Sequence, residues 1–169
     1  LGAGVGTLMT LVVQSSSATI AVLQNFAAQA GPDGMTSILG LTGAIPILLG
    51  DNIGTTITAL LASIGQTKDA KRTAVAHCIF NISGSFLFIW FVKPYATLIR
   101  FISPKGPEVE VISRQIANAH TCFNITMTLI WVCLIGVMVK IVMFLIPDGK
   151  KTESDPFETL YLDENVKNQ

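Results

Sequence analysis

The first 67 residues contain only two ionisable side chains, Asp33 and Asp51, and neither Lys nor Arg. Soluble domains carry about 25% Asp, Glu, Lys and Arg, whereas this chain has 13%, against 50% apolar residues. A water-exposed surface cannot be built from such a stretch, so the chain is expected to sit in a bilayer. Nine of its 22 charged residues follow Ile146. Residues 1–147 therefore read as the membrane unit and residues 148–169 as a polar tail. A hydrocarbon core about 30 Å thick takes roughly 20 apolar residues to cross, which leaves room for only a few spans.

Other classes drop out on the same grounds. A net charge of zero leaves no basic surface for nucleic acid, and none is expected as a partner. Cys78, Cys122 and Cys133 all lie in apolar stretches, as reduced core residues do and a disulfide framework does not. No basic segment precedes the first apolar run and residue 1 is Leu. A cleavable signal is thus not expected, and the chain reads as a segment of something longer.

The first apolar stretch, residues 1–30, is interrupted by Gln14-Ser15-Ser16-Ser17. Each arm is about 11–13 residues, too short to cross alone and typical of re-entrant segments. Two half-helices meeting at a polar turn are expected, followed by a surface turn at Gly31-Pro32-Asp33-Gly34. A second stretch, residues 35–65, has Gly50-Asp51-Asn52-Ile53-Gly54-Thr55-Thr56 at its centre. Pro46 and Gly50 weaken its first half, and Asn52, Thr55 or Thr56 would cap its second, so a broken helix is expected. Open backbone survives at membrane depth only where protein or a watery cavity satisfies it. After a short basic loop holding Lys68, Lys71 and Arg72, residues 73–92 read as a continuous span. Residues 94–114 read as an extramembrane connector, with 95–102 along the interface. Residues 116–146 form a last span, long enough to tilt or kink.

Two clusters carry chemistry. Gln14, Ser15, Ser16, Ser17 and Thr19 offer hydroxyls and an amide, and a half-helix beginning near Ala18 would add unpaired N–H groups. Such a set holds an anion by hydrogen bonds and the helix dipole, without formal positive charge; the plainer alternative is capping and close helix packing. Asp51, Asn52, Thr55 and Thr56 offer the oxygen ligands that suit a hard monovalent cation, and broken helices are where transporters place them. Asp51 is costly near the midplane and therefore functional by default, unless it lies at the interface. If the serines hold a phosphate-like anion, no basic side chain in residues 1–67 neutralises it. At an effective dielectric of about 20, opposite unit charges about 4 Å apart attract by ~4 kcal/mol. Co-bound cations would supply that attraction, which favours cation-coupled uptake over an anion pore.

An internal repeat follows. Residues 74–83 align with residues 117–126, matching Ala74, Ala76, His77, Phe80, Asn81 and Ile82 to Ala117, Ala119, His120, Phe123, Asn124 and Ile125. In each copy His and Asn stand four apart on one helical face. His77, Asn81, His120 and Asn124 are candidates for interhelical hydrogen bonds or a proton relay; no zinc-ligand spacing accompanies them. Gly2 and Gly6, four apart, read as a close-packing helix face. No nucleophile elbow surrounds Ser15–Ser17. Trp90 and Tyr95 read as interfacial anchors.

Taken in order, Gln14-Ser15-Ser16-Ser17-Ala18-Thr19, Gly50-Asp51-Asn52-Ile53-Gly54-Thr55-Thr56 and the paired Ala-His-Phe-Asn segments resemble the sodium-dependent phosphate cotransporter family, in its bacterial branch, over residues 1–147. Members carry two inverted repeats, each a Gln-Ser-Ser-Ser hairpin followed by a broken helix. The resemblance implies an all-α membrane protein made of a re-entrant helical hairpin plus broken and continuous transmembrane helices. The chain would be the second repeat, one half of an inverted-repeat transporter, pairing with the other half or with a second copy. It further implies that Gln14, Ser15, Ser16 and Ser17 bind phosphate, and that Ser17, Thr19, Asn52, Thr55 and Thr56 bind sodium. Asp51, His77, Asn81, His120 and Asn124 are left a structural or relay role. In bacterial relatives a cytoplasmic PhoU-like helical domain often follows, and Leu160-Tyr161-Leu162-Asp163 reads as a lead-in to one. With the hairpin starting and ending outside, Lys68, Lys71, Arg72 and the tail would be cytoplasmic and residues 94–114 external; positive-inside counting supports this weakly, since Lys93, Arg100, Lys105 and Arg114 oppose it.

The expected function is sodium-coupled symport of inorganic phosphate across the cell membrane by alternating access, with Na⁺ as coupling ion and no other cofactor. No bond is broken, so an enzyme is not expected. Two rivals differ in what they demand. A channel would pass current without saturating or needing a cotransported ion. A non-transporting scaffold presenting its tail would be indifferent to the serines.

Overall fold

The computed structural model describes residues 1–148, so the expectations for the remainder of the tail, its cytoplasmic placement and the lead-in at residues 160–163 included, lie outside the described residues. Those described residues form seven helices: α1 (Gly2–Val13), α2 (Ser16–Ala27), α3 (Gly40–Ala62), α4 (Lys68–Ile89), α5 (Val92–Ile102), α6 (Glu108–Cys133) and α7 (Ile135–Leu145). Three of them, α3, α4 and α6, are long and apolar enough to cross a membrane. The chain is an all-α, multi-pass membrane protein.

Helices α1 and α2 are 12 residues each, about 18 Å at a rise of about 1.5 Å per residue, so neither spans a bilayer alone. Two residues separate them. Gln14 ends α1 in the left-handed conformation with φ 55°, and Ser15 caps α2 by accepting a hydrogen bond from the Ala18 N–H at 3.3 Å. Half-helices meeting at a polar turn are thus what forms. The hairpin returns to the end it came from, because the Ser37 hydroxyl just ahead of α3 donates to the Ala27 carbonyl at the end of α2. The turn after α2 is fastened by Asp33, whose Oδ1 accepts from the Met35 and Thr36 N–H groups and from the Thr36 hydroxyl. Those bonds hold its carboxyl below the usual carboxylate range.

The helix expected to break at Gly50–Thr56 does not. Helix α3 runs unbroken from Gly40 to Ala62 with Pro46 inside it. Proline removes one backbone donor and crowds the carbonyl four residues earlier, and the helix continues regardless. Asn52, Thr55 and Thr56 cap nothing, since the Thr55 and Thr56 hydroxyls donate to the Asp51 and Ile53 carbonyls of their own helix. The glycines serve packing. A Cβ on Gly50 would stand 1.9 Å from the Ala3 carbonyl oxygen, and one on Gly6 would stand 1.9 Å from that of Ile47. On α1 the small faces are Gly2, Gly6 and Thr10; on α3 they are Gly50 and Gly54, in line with Pro46. Helix α1 lies parallel to α3 along this seam at backbone contact, the close packing that the Gly2–Gly6 spacing suggested.

Helices α2, α3, α5 and α6 enclose a core that includes Leu23, Ala27, Leu41, Ile45, Leu48, Ile99, Ile112, Ile116 and Phe123. Outward faces are apolar as well, with Phe86, Trp90, Phe91, Leu129, Val132 and Phe144 exposed, which suits a surface meeting acyl chains. Tyr95 differs from its expected interfacial role: it is buried, and its hydroxyl donates to the Ala119 carbonyl, pinning α5 to α6. The connector is also shorter than residues 94–114. Pro107 followed by Glu108 and Glu110 starts α6 there, acidic residues in a first turn complementing the helix dipole. The last span is interrupted at Leu134, between α6 and α7.

Two ends of the bundle are defined by tertiary bonds. At one end the Val109 N–H donates to the Met35 carbonyl and the Ser37 N–H to Glu108. At the other, Arg72 Nε and Nη2 donate to the Ile146 carbonyl at 3.1 and 3.0 Å, and Nη2 donates to Asp148 at 2.6 Å. The guanidinium thereby satisfies an open carbonyl at the end of α7. Residues 68–72 and 146–148 therefore share one end, and residues 35–37 and 107–109 share the opposite one.

Candidate functional site

The hairpin tip is built by the Gln14–Ser15 interruption. A non-glycine residue at φ 55° is uncommon and marks a position worth examining. It turns the chain so that α2 begins at Ser16, two residues before the expected start at Ala18. The N–H groups of Ser16 and Ser17, first in their helix, have no acceptor within it. Gln14, Ser15 and Ser17 are exposed and Ser16 is half-buried, so these hydroxyls and amides open outward from the chain. Thr19, by contrast, is fully buried and its hydroxyl donates to the Ser15 carbonyl at 3.0 Å. Continuing the α1–α3 register brings Gln14 level with the last turns of α3.

The second cluster lies along α3. Asp51 is 0% exposed; its Oδ1 accepts from the Thr10 hydroxyl of α1 at 2.6 Å, while its Oδ2 has no partner. On the next face, α4 runs antiparallel to α3: the Cys78 thiol donates to the Thr56 carbonyl at 3.7 Å and the Ser85 hydroxyl to that of Leu49 at 3.1 Å. That register sets Asn81 at the level of Asn52. Asn52 is 4% exposed and its Nδ2 has no partner. Thr55 is half-buried and Thr56 buried. Among the described residues no hydrogen bond joins the tip hydroxyls to Asn52, Thr55 or Thr56, so the two clusters share a helical pair rather than a bonded network.

The repeated His/Asn segments behave alike in both copies. Asn81 Nδ2 donates to the His77 carbonyl at 3.1 Å, and Asn124 Nδ2 to the His120 carbonyl at 2.9 Å. Among the described residues neither asparagine makes the expected interhelical bond; each uses one amide donor within its own helix. At the end of the first copy small residues admit packing: a Cβ on Gly84, just after it, would meet Phe123 and Met127 of α6, and Trp131 Nε1 donates to Ser83 at 3.2 Å. His77 lines a groove of about 470 Å³ between α3 and α4 with Ser63, Gln66 and Thr73.

Sequence reasoning missed Thr10, the residue that ties the hairpin to Asp51. Its signal was the four-residue spacing Gly2, Gly6, Thr10, matched on α3 by Pro46, Gly50, Gly54. It also missed Gln115 on α6, which is 6% exposed with its Oε1 unpartnered.

The model of the Na+/Pi-cotransporter family matches residues 1–103, from the hairpin to the end of α5. The uncharacterized protein YqeW of Bacillus subtilis is 36% identical over 100 residues, 59% of this chain and 30% of that protein. Human sodium-dependent phosphate transport protein 2B is 36% identical over 98 residues, 56% of this chain and 13% of that protein. Sheep sodium-dependent phosphate transport protein 2A is 37% identical over 98 residues, covering 56% and 14%. The aligned part thus amounts to less than a third of each of these relatives. No solved structure matches the chain. With the family match extending over more than half of its length, the chain belongs to the Na+/Pi-cotransporter family.

Proposed function

We infer that this chain is one of two inverted repeats of a carrier that imports inorganic phosphate with Na⁺ across the cytoplasmic membrane by alternating access. No bond is made or broken. Gln14, Ser15, Ser16 and Ser17 hold the phosphate oxyanion, assisted by the first N–H groups of α2 and its dipole. Ser17, Thr19, Asn52, Thr55 and Thr56 supply oxygens to sodium, and the other repeat, or a second copy, closes the site from the opposite side. Asp51, His77, Asn81, His120 and Asn124 take a structural or relay role around it. The end carrying Lys68, Lys71, Arg72 and Asp148 faces the cytoplasm, together with the tail.

The observation that carries this reading is the polar tip at Gln14–Ser17, held at the end of two half-helices and exposing hydroxyls and N–H groups on an otherwise apolar chain. Such a surface is out of place against lipid and well suited to an enclosed hydrated site. Coupling is tested in proteoliposomes bearing the full-length protein. Radiolabelled phosphate should accumulate above equilibrium under an inward sodium gradient, saturate with phosphate, and collapse to equilibration when the gradient is dissipated. Flux that is indifferent to the gradient and does not saturate would identify a channel.

A further inference from the structure

The proposed sodium ligands on α3 are all neutral, yet the most deeply buried polar group beside them is a carboxylate. Asp51 is 0% exposed and faces α1, away from the α4 side on which Asn52 lies. One oxygen is taken by the Thr10 hydroxyl at 2.6 Å; the other is buried and has no partner. No Lys or Arg exists among residues 1–67, and Asp51 makes no salt bridge within the described residues.

A carboxylate buried without a counter-charge is strongly disfavoured. The Thr10 hydroxyl cannot relieve it fully, since its one hydrogen is shared with a second acceptor, the Gly6 carbonyl oxygen 3.0 Å from the same Oγ1. The oxygens gathered here are ones a small hard cation prefers: the Asp51 carboxylate, the Thr10 hydroxyl and, beside that hydroxyl, the Gly6 carbonyl. The Gly6 and Gly50 contacts hold those two backbones together, so such a position would be preformed in a rigid pair of helices.

We propose that the bare Asp51 carboxylate oxygen and the Thr10 hydroxyl form a monovalent-cation site between α1 and α3, distinct from the oxygens of Asn52, Thr55 and Thr56. This deepens the sodium-coupled reading above, and it supplies that reading with the one formal negative charge that would hold sodium before phosphate arrives.

The test needs no transport. Full-length protein is unfolded thermally, with tryptophan fluorescence as the readout, in sodium or in choline chloride without phosphate. Sodium should raise the midpoint of the wild type, because a ligand bound only by the native state stabilises it. Asp51→Asn should lose most of that rise, keeping only what the Asn52, Thr55 and Thr56 oxygens supply, and unfold in choline no earlier than the wild type, since it removes an uncompensated charge. Thr10→Val should weaken the rise and Thr10→Ser should keep it. Three results would overturn the site: no sodium rise in the wild type, a full rise in Asp51→Asn, or equal destabilisation of that variant in both salts with the rise retained. A basic side chain reaching Asp51 from elsewhere in the full-length protein would give the second result. Adding phosphate as a further arm separates this site from the reading it rests on. Loss of the phosphate response with the Asp51-dependent sodium rise intact would sink the phosphate assignment alone.

Discussion

Gly50→Ala in the full-length protein should abolish stable folding, although alanine is the best helix former. The added Cβ would sit 1.9 Å from the Ala3 carbonyl oxygen, 2.7 Å from its carbon and 2.8 Å from its Cα. These are backbone atoms of a neighbouring helix, so no side chain can swing aside and α1 must lift off α3. Overpacking typically costs 1–3 kcal/mol where side chains give way; a backbone clash belongs at about 3 kcal/mol or beyond. Lifting α1 also parts the Thr7–Gly50 and Thr10–Asp51 hydrogen bonds. Gly4 is the control: it is on the same helix with nothing within 4 Å of its would-be Cβ. Gly4→Ala should stabilise by up to about 1 kcal/mol. Thermal unfolding and monodispersity in detergent decide the matter. A Gly50→Ala protein as stable as the wild type would disprove the seam.

The second large effect is on function. Ser16→Ala should lower sodium-driven phosphate uptake by roughly 10- to 100-fold, the equivalent of one hydrogen bond to a charged ligand at about 1.5–3 kcal/mol, with surface expression unchanged. Gln14 allows a sharper separation. It occupies the left-handed region at φ 55°, which costs a side-chain-bearing residue about 1–2 kcal/mol and glycine almost nothing. Gln14→Gly should therefore raise the unfolding midpoint while uptake falls, because the amide is gone and the strain with it. Unfolding curves and initial uptake rates on the same preparations measure both. Normal uptake by either variant would remove the tip from the phosphate site.

How far the sequence foretold this depends on the kind of signal. The hairpin was legible because four consecutive polar residues split an apolar stretch into arms too short to cross, and no tertiary contact can lengthen them. The surface turn at Asp33 was legible from its own local hydrogen-bonding chemistry. The break at Gly50–Thr56 was misread because Gly, Asp and Asn weaken isolated helices, whereas here Gly50 and Gly54 are small so that α1 can approach. Tertiary packing outweighed local propensity. Thr10 escaped notice because a lone hydroxyl in an apolar arm gains meaning only from the helix facing it. The His/Asn repeat was visible as a pattern, but whether each Asn bonds across helices or to its own backbone is decided by side-chain conformation. The start of α6 was written in Pro107, Glu108 and Glu110, a first-turn signal that lies inside the stretch expected to be a connector.

The position of the bound oxyanion is the most direct test. A map of the full-length protein in sodium phosphate should show tetrahedral density within hydrogen-bond reach of the Ser15, Ser16 and Ser17 hydroxyls, in a hollow closed by the partner repeat. A Gln14–Ser17 tip turned toward lipid, with no enclosed space and no density beside it, would remove the phosphate site from the hairpin.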